Sequence, residues 1–190
     1  VRLVGSEMCI RDSTKTYKTI FKEKQLDELI TKLNEKSVIA VDTETSSLNP
    51  QEADLVGISL CYEANEAFYI PVGHTEKTEL KKDIVLKKLK PLLEDPSIKK
   101  VGQNIKYDFI IFKNHGIELS SVEDTMLLSY TLDAGNNRHN MDTLSELHLG
   151  HKTISYKDLV GTGKKQLNFS EVDLKSATEY AAEDADITLR

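Results

Sequence analysis

The chain has 190 residues, 39% of them hydrophobic and 29% charged, as in an ordinary globular domain. That length holds one sizeable core and is short for two typical domains. Its 31 acidic and 25 basic residues leave a net charge of −6, which argues against a passive nucleic-acid coat but not against an enzyme whose acids are screened by metal. No apolar run approaches the ~20 residues of a membrane span. No signal peptide is evident. Two cysteines, Cys9 and Cys61, exclude a disulfide framework and fit a reducing cytosol.

Residues 1–13, VRLVGSEMCIRDS, have no period and resemble a translated sequencing-adapter scar, so they are set aside as a non-native, disordered leader. Residues 14–190 form the domain. A short strand-like piece, Thr16 to Phe21, precedes a helix with Leu26, Leu29, Ile30 and Leu33 at three- and four-residue spacing. Val38-Ile39-Ala40-Val41 reads as a buried strand that ends abruptly in Asp42-Thr43-Glu44-Thr45. After the Asn49-Pro50 turn, Leu55–Tyr62 and Ala67–Ile70 complete an antiparallel three-strand meander.

Leu80–Leu93 reads as a helix, Ile98–Gly102 as a strand and Tyr107–His115 as a helix stopped by Gly116. Ile117-Glu118-Leu119 starts a further strand. Asp124–Leu132 and Asp142–Leu149 are helices, and Gly161–Lys165 is an exposed basic loop. Ser170-Glu171-Val172-Asp173 matches a capping box opening the last helix. Strands first, then strands alternating with helices, give an α/β fold: a mixed five-stranded sheet flanked by helices, the meander plus two parallel strands.

Three acidic clusters carry the chemistry. Asp42 and Glu44, two apart on a strand, share a face. Asp108 sits just inside a helix that follows a strand. Tyr180 and Asp184 are four apart on the last helix and share a face, with Ala181 and Ala182 keeping that helix slim. Each cluster alone fits a solvated surface pair; their order and settings point to one hard-cation site.

AVDTETSSL at 40–48, KVGQNIKYD at 100–108 and YAAEDADITL at 180–189 together resemble the 3′→5′ proofreading exonuclease domain of bacterial DNA polymerase I. That domain belongs to the DEDD exonuclease group with a ribonuclease H-like fold. The resemblance implies that Asp42, Glu44, Asp108 and Asp184 are the carboxylates holding two divalent cations, Mg²⁺ or Mn²⁺, with Zn²⁺ an option at the first site. Asp42 would bridge both ions, Glu44 and Asp184 would serve the first, and Asp108 mainly the second. Tyr180 matches the tyrosine that helps place the attacking water.

Physics supports these roles. Oxygen-only ligands suit hard cations, and four converging carboxylates repel without them. Ions ~3.5–4 Å apart activate a water on one side and steady the leaving 3′-oxygen on the other. A tyrosine with pKa near ~10 is a poor base at neutral pH, so orienting water suits Tyr180 better.

The resemblance also implies that Leu48, Gln103, Asn104, Tyr107, Arg138, Met141 and Tyr156 bind the substrate, Leu48 and Tyr156 as wedges against the terminal bases. From the residues alone, core placement is equally open for Leu48 and Met141, and a solvated loop charge for Arg138. Asn140 stands where the family commonly has an acid. The chain ends soon after the third motif, before the family's final helix and polymerase region. The expected substrate is the 3′ end of single-stranded or frayed DNA, with 5′-monophosphates released. The expected setting is a monomer in the bacterial cytoplasm, at the nucleoid, with a polymerase domain in the same full-length chain and no membrane contact. A ribonuclease D-like RNA exonuclease, or a silent DNA-binding domain, are the alternatives.

Overall fold

A computed structural model of the chain describes residues 15–190, so the leader at 1–13 lies outside the described residues. Six strands form one sheet in the order β1 (Thr16–Thr19), β4 (Glu66–Pro71), β3 (Leu55–Glu63), β2 (Val38–Thr45), β5 (Lys99–Gly102), β6 (Val122–Asp124). The α/β architecture and the meander stand as expected, since β2–β3 and β3–β4 are antiparallel. The strand count needs correcting from five to six. β1 adds itself parallel to β4 at the far edge. At the other edge the parallel strand is Val122–Asp124 and not Ile117–Leu119, because Ile117 and Leu119 turn inward as core residues.

The pleat sorts β2 between two layers. Ile39 and Val41 face α1 (Glu23–Asn34), α2 (Lys82–Glu94) and α3 (Lys106–Asn114), where Leu26, Leu33, Leu89 and Phe112 complete the larger core. Ala40 faces the other way, toward α7 (Leu174–Leu189), and meets Cys61, Ala67, Ala182 and Ala185. Small residues on both sides bring α7 close to the sheet. Asp42 and Glu44 continue the α7 side of the pleat, so the slim helix and the acidic strand end converge by construction.

α4 (Thr125–Asp133), α5 (Met141–Leu149) and α6 (Tyr156–Val160) follow β6, with 3-10 turns at Gly163–Lys165 and Phe169–Glu171. The capping box belongs to the second of these turns, where Asn168 and Glu171 bond reciprocally. The cap of α7 is Asp173, whose side chain accepts from Ser176 N–H. No helix among the described residues is long and apolar enough to cross a membrane.

Gly57, opposite Glu44 in the β2–β3 ladder, lies flat under Tyr69. A Cβ there would sit 2.0 Å from the Tyr69 hydroxyl and 2.2 Å from its ring carbon Cζ. Tyr69 is fully buried and its hydroxyl is bonded to His74 Nε2 at 2.7 Å, so the ring has nowhere to retreat. Gly57→Ala is therefore expected to destabilise the protein by about 1–3 kcal/mol, an overpacking cost read from a denaturant melt. A variant as stable as the parent would show that the Tyr69 ring is not held there.

Candidate active site

The C-terminal end of β2 delivers Asp42 and Glu44, and α7 delivers Asp184. One carboxylate oxygen from each lies within 4.8 Å of the other two. Tyr180 stands one turn before Asp184 on the same helix. All four line one cleft of about 1070 Å³ together with Asp108.

Asp108 enters differently. It sits in the first turn of α3, on the opposite side of the sheet from α7, and reaches round the strand end. Its Oδ1 accepts from the Thr43 N–H at 2.9 Å and the Thr43 hydroxyl at 2.5 Å, so it stands outside the Asp42–Glu44–Asp184 trio. Thr43, between the two strand acids and pointing away from them, is thus the residue that positions the fourth. The preceding turn holds Asn104 at φ 59°, with its N–H donating to Asp124 Oδ1 at 3.0 Å.

Glu44 and Asp108 are buried, yet none of the four acids has a lysine, arginine or histidine partner among the described residues. Burial first, and then neighbouring acids, drive their pKa values upward. Asp42 is pushed up to about 8, with Asp184 the next cause after burial. Glu44 is raised by burial, then by Asp42, Asp184 and Asp108. Asp108 is raised by burial and then Asp42. Asp184 is also pushed up to about 8, by burial and then by Glu183 and Asp142. Buried charge without a counter-charge is costly, and an all-oxygen donor set is what a hard divalent cation takes. This acidic cluster suits such a cation. Tyr180 is likewise raised, by burial and then Asp184, so its hydroxyl stays protonated at neutral pH.

The cleft walls contain Leu48, Gln103, Asn104, Tyr107 and Tyr156 of the expected substrate residues. Leu48 is 95% exposed, which removes core placement as its role. It rides on a stapled loop: the Tyr107 hydroxyl donates to Ser47 C=O at 2.5 Å, and Asn168 Nδ2 to Ser46 C=O at 2.9 Å. Gln103 is committed within the protein, its Oε1 accepting from Thr125 at 2.5 Å and its Nε2 donating to His139 C=O at 2.8 Å.

Arg138 and Met141 lie outside this cleft. Arg138 is exposed on the α4–α5 loop, and Met141 lines a separate apolar cavity of about 310 Å³ between α4, α5 and the end of α7. Phe169 was not anticipated. It stacks on Tyr156 with ring centroids 6.4 Å apart and leans on Tyr180 at 6.1 Å, and nothing in its local sequence marks it.

A family model described as 3′-5′ exonuclease matches residues 17–190. The chain belongs to the 3′-5′ exonuclease family. Within it, the chain is 45% identical over 180 residues to DNA polymerase I of Pseudomonas aeruginosa, covering 92% of this chain and 20% of that protein. It spans about a fifth of the length of the relatives it matches. Among solved structures, ribonuclease D of Escherichia coli superposes with a TM-score of 0.68 at 23% identity, over 92% of this chain and 42% of that one. Brucella melitensis NrnC with bound Mg²⁺ gives 0.63 at 24%, over 82% and 69%. At those identities the likeness speaks for the fold alone, and it bears out the exonuclease-type α/β architecture.

Proposed function

We propose that this exonuclease hydrolyses the 3′-terminal phosphodiester of single-stranded or frayed DNA and releases nucleoside 5′-monophosphates. In this reading it is the proofreading module of a DNA polymerase I whose polymerase domain lies in the same full-length chain. The observation that carries it is the group of buried and half-buried carboxylates, close enough to repel one another and with no cationic partner among the described residues, that lines one cleft. Identity to DNA polymerase I, at 45%, favours DNA over RNA.

Asp42, Glu44 and Asp184 would hold one divalent ion and Asp42 with Asp108 a second, Mg²⁺ or Mn²⁺ by donor type. When bound, such ions supply charge stabilisation at the phosphate and favour deprotonation of water. The chain's own residues do the rest. Thr43 fixes the Asp108 carboxylate through two hydrogen bonds. Tyr180, kept neutral, offers a hydroxyl to orient the attacking water beside Asp184. Leu48, on its stapled loop, and Tyr156, braced by Phe169, grip the end of the strand through stacking and apolar contact that tolerate any base.

The test is digestion of 5′-labelled single-stranded DNA and RNA side by side, with Mg²⁺ or with chelator. A ladder of shortened DNA products that vanishes on chelation is expected. Faster loss of RNA would reassign the chain to a ribonuclease D-like activity, and binding without cleavage to a silent DNA-binding domain.

A further inference from the structure

Glu183 precedes the metal-site Asp184 and is itself 4% exposed, yet its carboxylate serves none of the functions described above. It collects three donors. Oε1 accepts from Lys15 Nζ at 3.0 Å and pairs with His151 Nε2 at 2.8 Å, while Oε2 accepts from the Ile154 N–H at 2.6 Å. Two of the three belong to residues 151–155, the segment that leaves α5 and enters α6 at Tyr156. The segment's other side is fastened to α5. Ser145 Oγ donates to His151 C=O at 2.8 Å, and Thr153 Oγ1 to Asp142 Oδ1 at 2.6 Å.

We infer that Glu183 is a positioning residue that fixes Tyr156 in register with the metal site. The inference deepens the reading of Tyr156 as a wall for the 3′-terminal base and rests on it. Tyr156 is 39% exposed, with one ring face stacked on Phe169 and a T-shaped contact with Tyr180 at 5.9 Å, and it lines the cleft, so part of the ring remains open to it. Tyr180, Glu183 and Asp184 lie within five consecutive residues of one helix, about 1.5 Å of rise apiece. A single rigid element thereby carries the water-orienting hydroxyl, a metal ligand and the peg from which the base-contacting strap hangs. The grip cannot drift along the strand relative to the carboxylates without breaking bonds to a buried, charged acceptor.

Glu183→Gln keeps the side chain's size but leaves one acceptor oxygen for three donors. Losing a hydrogen bond to a charged group predicts a KM for 3′ ends of single-stranded DNA raised roughly tenfold, with kcat and the Mg²⁺ dependence nearly unchanged. A second readout needs no turnover. An oligonucleotide with 2-aminopurine at its 3′ terminus, bound with Ca²⁺ in place of Mg²⁺, is quenched on stacking in the parent protein and is expected to stay bright in Glu183→Gln. Tyr156→Ala should raise KM similarly, and the double variant no further, because both changes remove the same grip.

A fall in kcat or a shifted Mg²⁺ requirement with KM unchanged would overturn the inference, because the charge that Glu183 already exerts on Asp184, and not its hold on Tyr156, would then be what the reaction uses. Additive effects with Tyr156→Ala would overturn it too. If Glu183→Gln melts below the assay temperature, His151→Gln, at the strap's own end, carries the same expectation. A parent protein that neither digests DNA nor quenches the probe would bring down the nuclease reading and this inference together. Parent activity beside an unchanged Glu183→Gln KM would bring down the inference alone.

Discussion

Asp42→Asn is expected to abolish hydrolysis while raising the melting temperature of the metal-free protein. The two effects have one cause. Asp42 is the acid whose charge bears on both Glu44 and Asp108, and Asp184 in turn bears on it. Replacing it with a neutral amide of the same shape removes repulsion from a buried cluster without leaving a void. A gain of ~1 kcal/mol corresponds to about 2–4 °C for a chain of this size. On the proposed reading, the cations would in contrast lose the carboxylate that both of them use. Several kcal/mol of transition-state charge stabilisation go with it, which at ~1.4 kcal/mol per factor of ten means a fall of at least about 10³-fold. Thermal melts in chelator and in Mg²⁺, beside a single-turnover digestion, read both halves: Mg²⁺ should raise the parent's melting point and leave the variant's unmoved. A variant that keeps most of its activity, or that is less stable without metal, would mean that Asp42 is not at the centre of the cluster.

The part of this site that is legible in the sequence is the part made by local periodicity. A strand's alternation puts Asp42 and Glu44 on one face, and a helix's turn puts Tyr180 over Asp184. The alanines around Asp184 announce a helix pressed to a sheet, and α7 does press there. What is not legible depends on hydrogen bonds between residues far apart in the chain. Nothing near Asp108 says that α3 lies on the other side of the sheet, or that Thr43 catches its carboxylate 65 positions away. Gln103 and Tyr107 are expected at the substrate through the family resemblance alone, and their bonds to His139, Thr125 and Ser47 are not visible in the sequence. β1 is only four residues long, Thr16–Thr19, and its place is set by the open edge of β4 and not by its own pattern. The strand expected at Ile117–Leu119 moved for a related reason: its apolar residues serve the core better as plugs than as an edge.

Stability of the metal-free protein is expected to fall as pH rises from about 5 to about 8, opposite to the usual behaviour of a protein held by ion-paired acids, and Mg²⁺ is expected to cancel the fall. In the unfolded chain Asp42 and Asp184 ionise near the ordinary 3.8, whereas in the fold burial, and then neighbouring acids, hold them up to about 8. Between those values the folded protein keeps protons that the unfolded chain has released. Raising the pH therefore pulls toward the unfolded state, and the stabilisation, complete below about pH 4, is lost as pH passes through about 8. Asp95 and Asp173, held below the ordinary carboxylate range by hydrogen bonds to Ser97 and Ser176, oppose this only at the acid end of the scale. A divalent cation reverses the balance, since it binds the ionised carboxylates in competition with protons and binds better as they ionise. Melting curves at about pH 5, 6.5 and 8, each in chelator and in Mg²⁺, should show a decline of several degrees in the first series and a flat or rising trend in the second. A flat chelator series would show that these carboxylates are neither buried together nor in conflict, and the case for a cation between them would lose its physical basis.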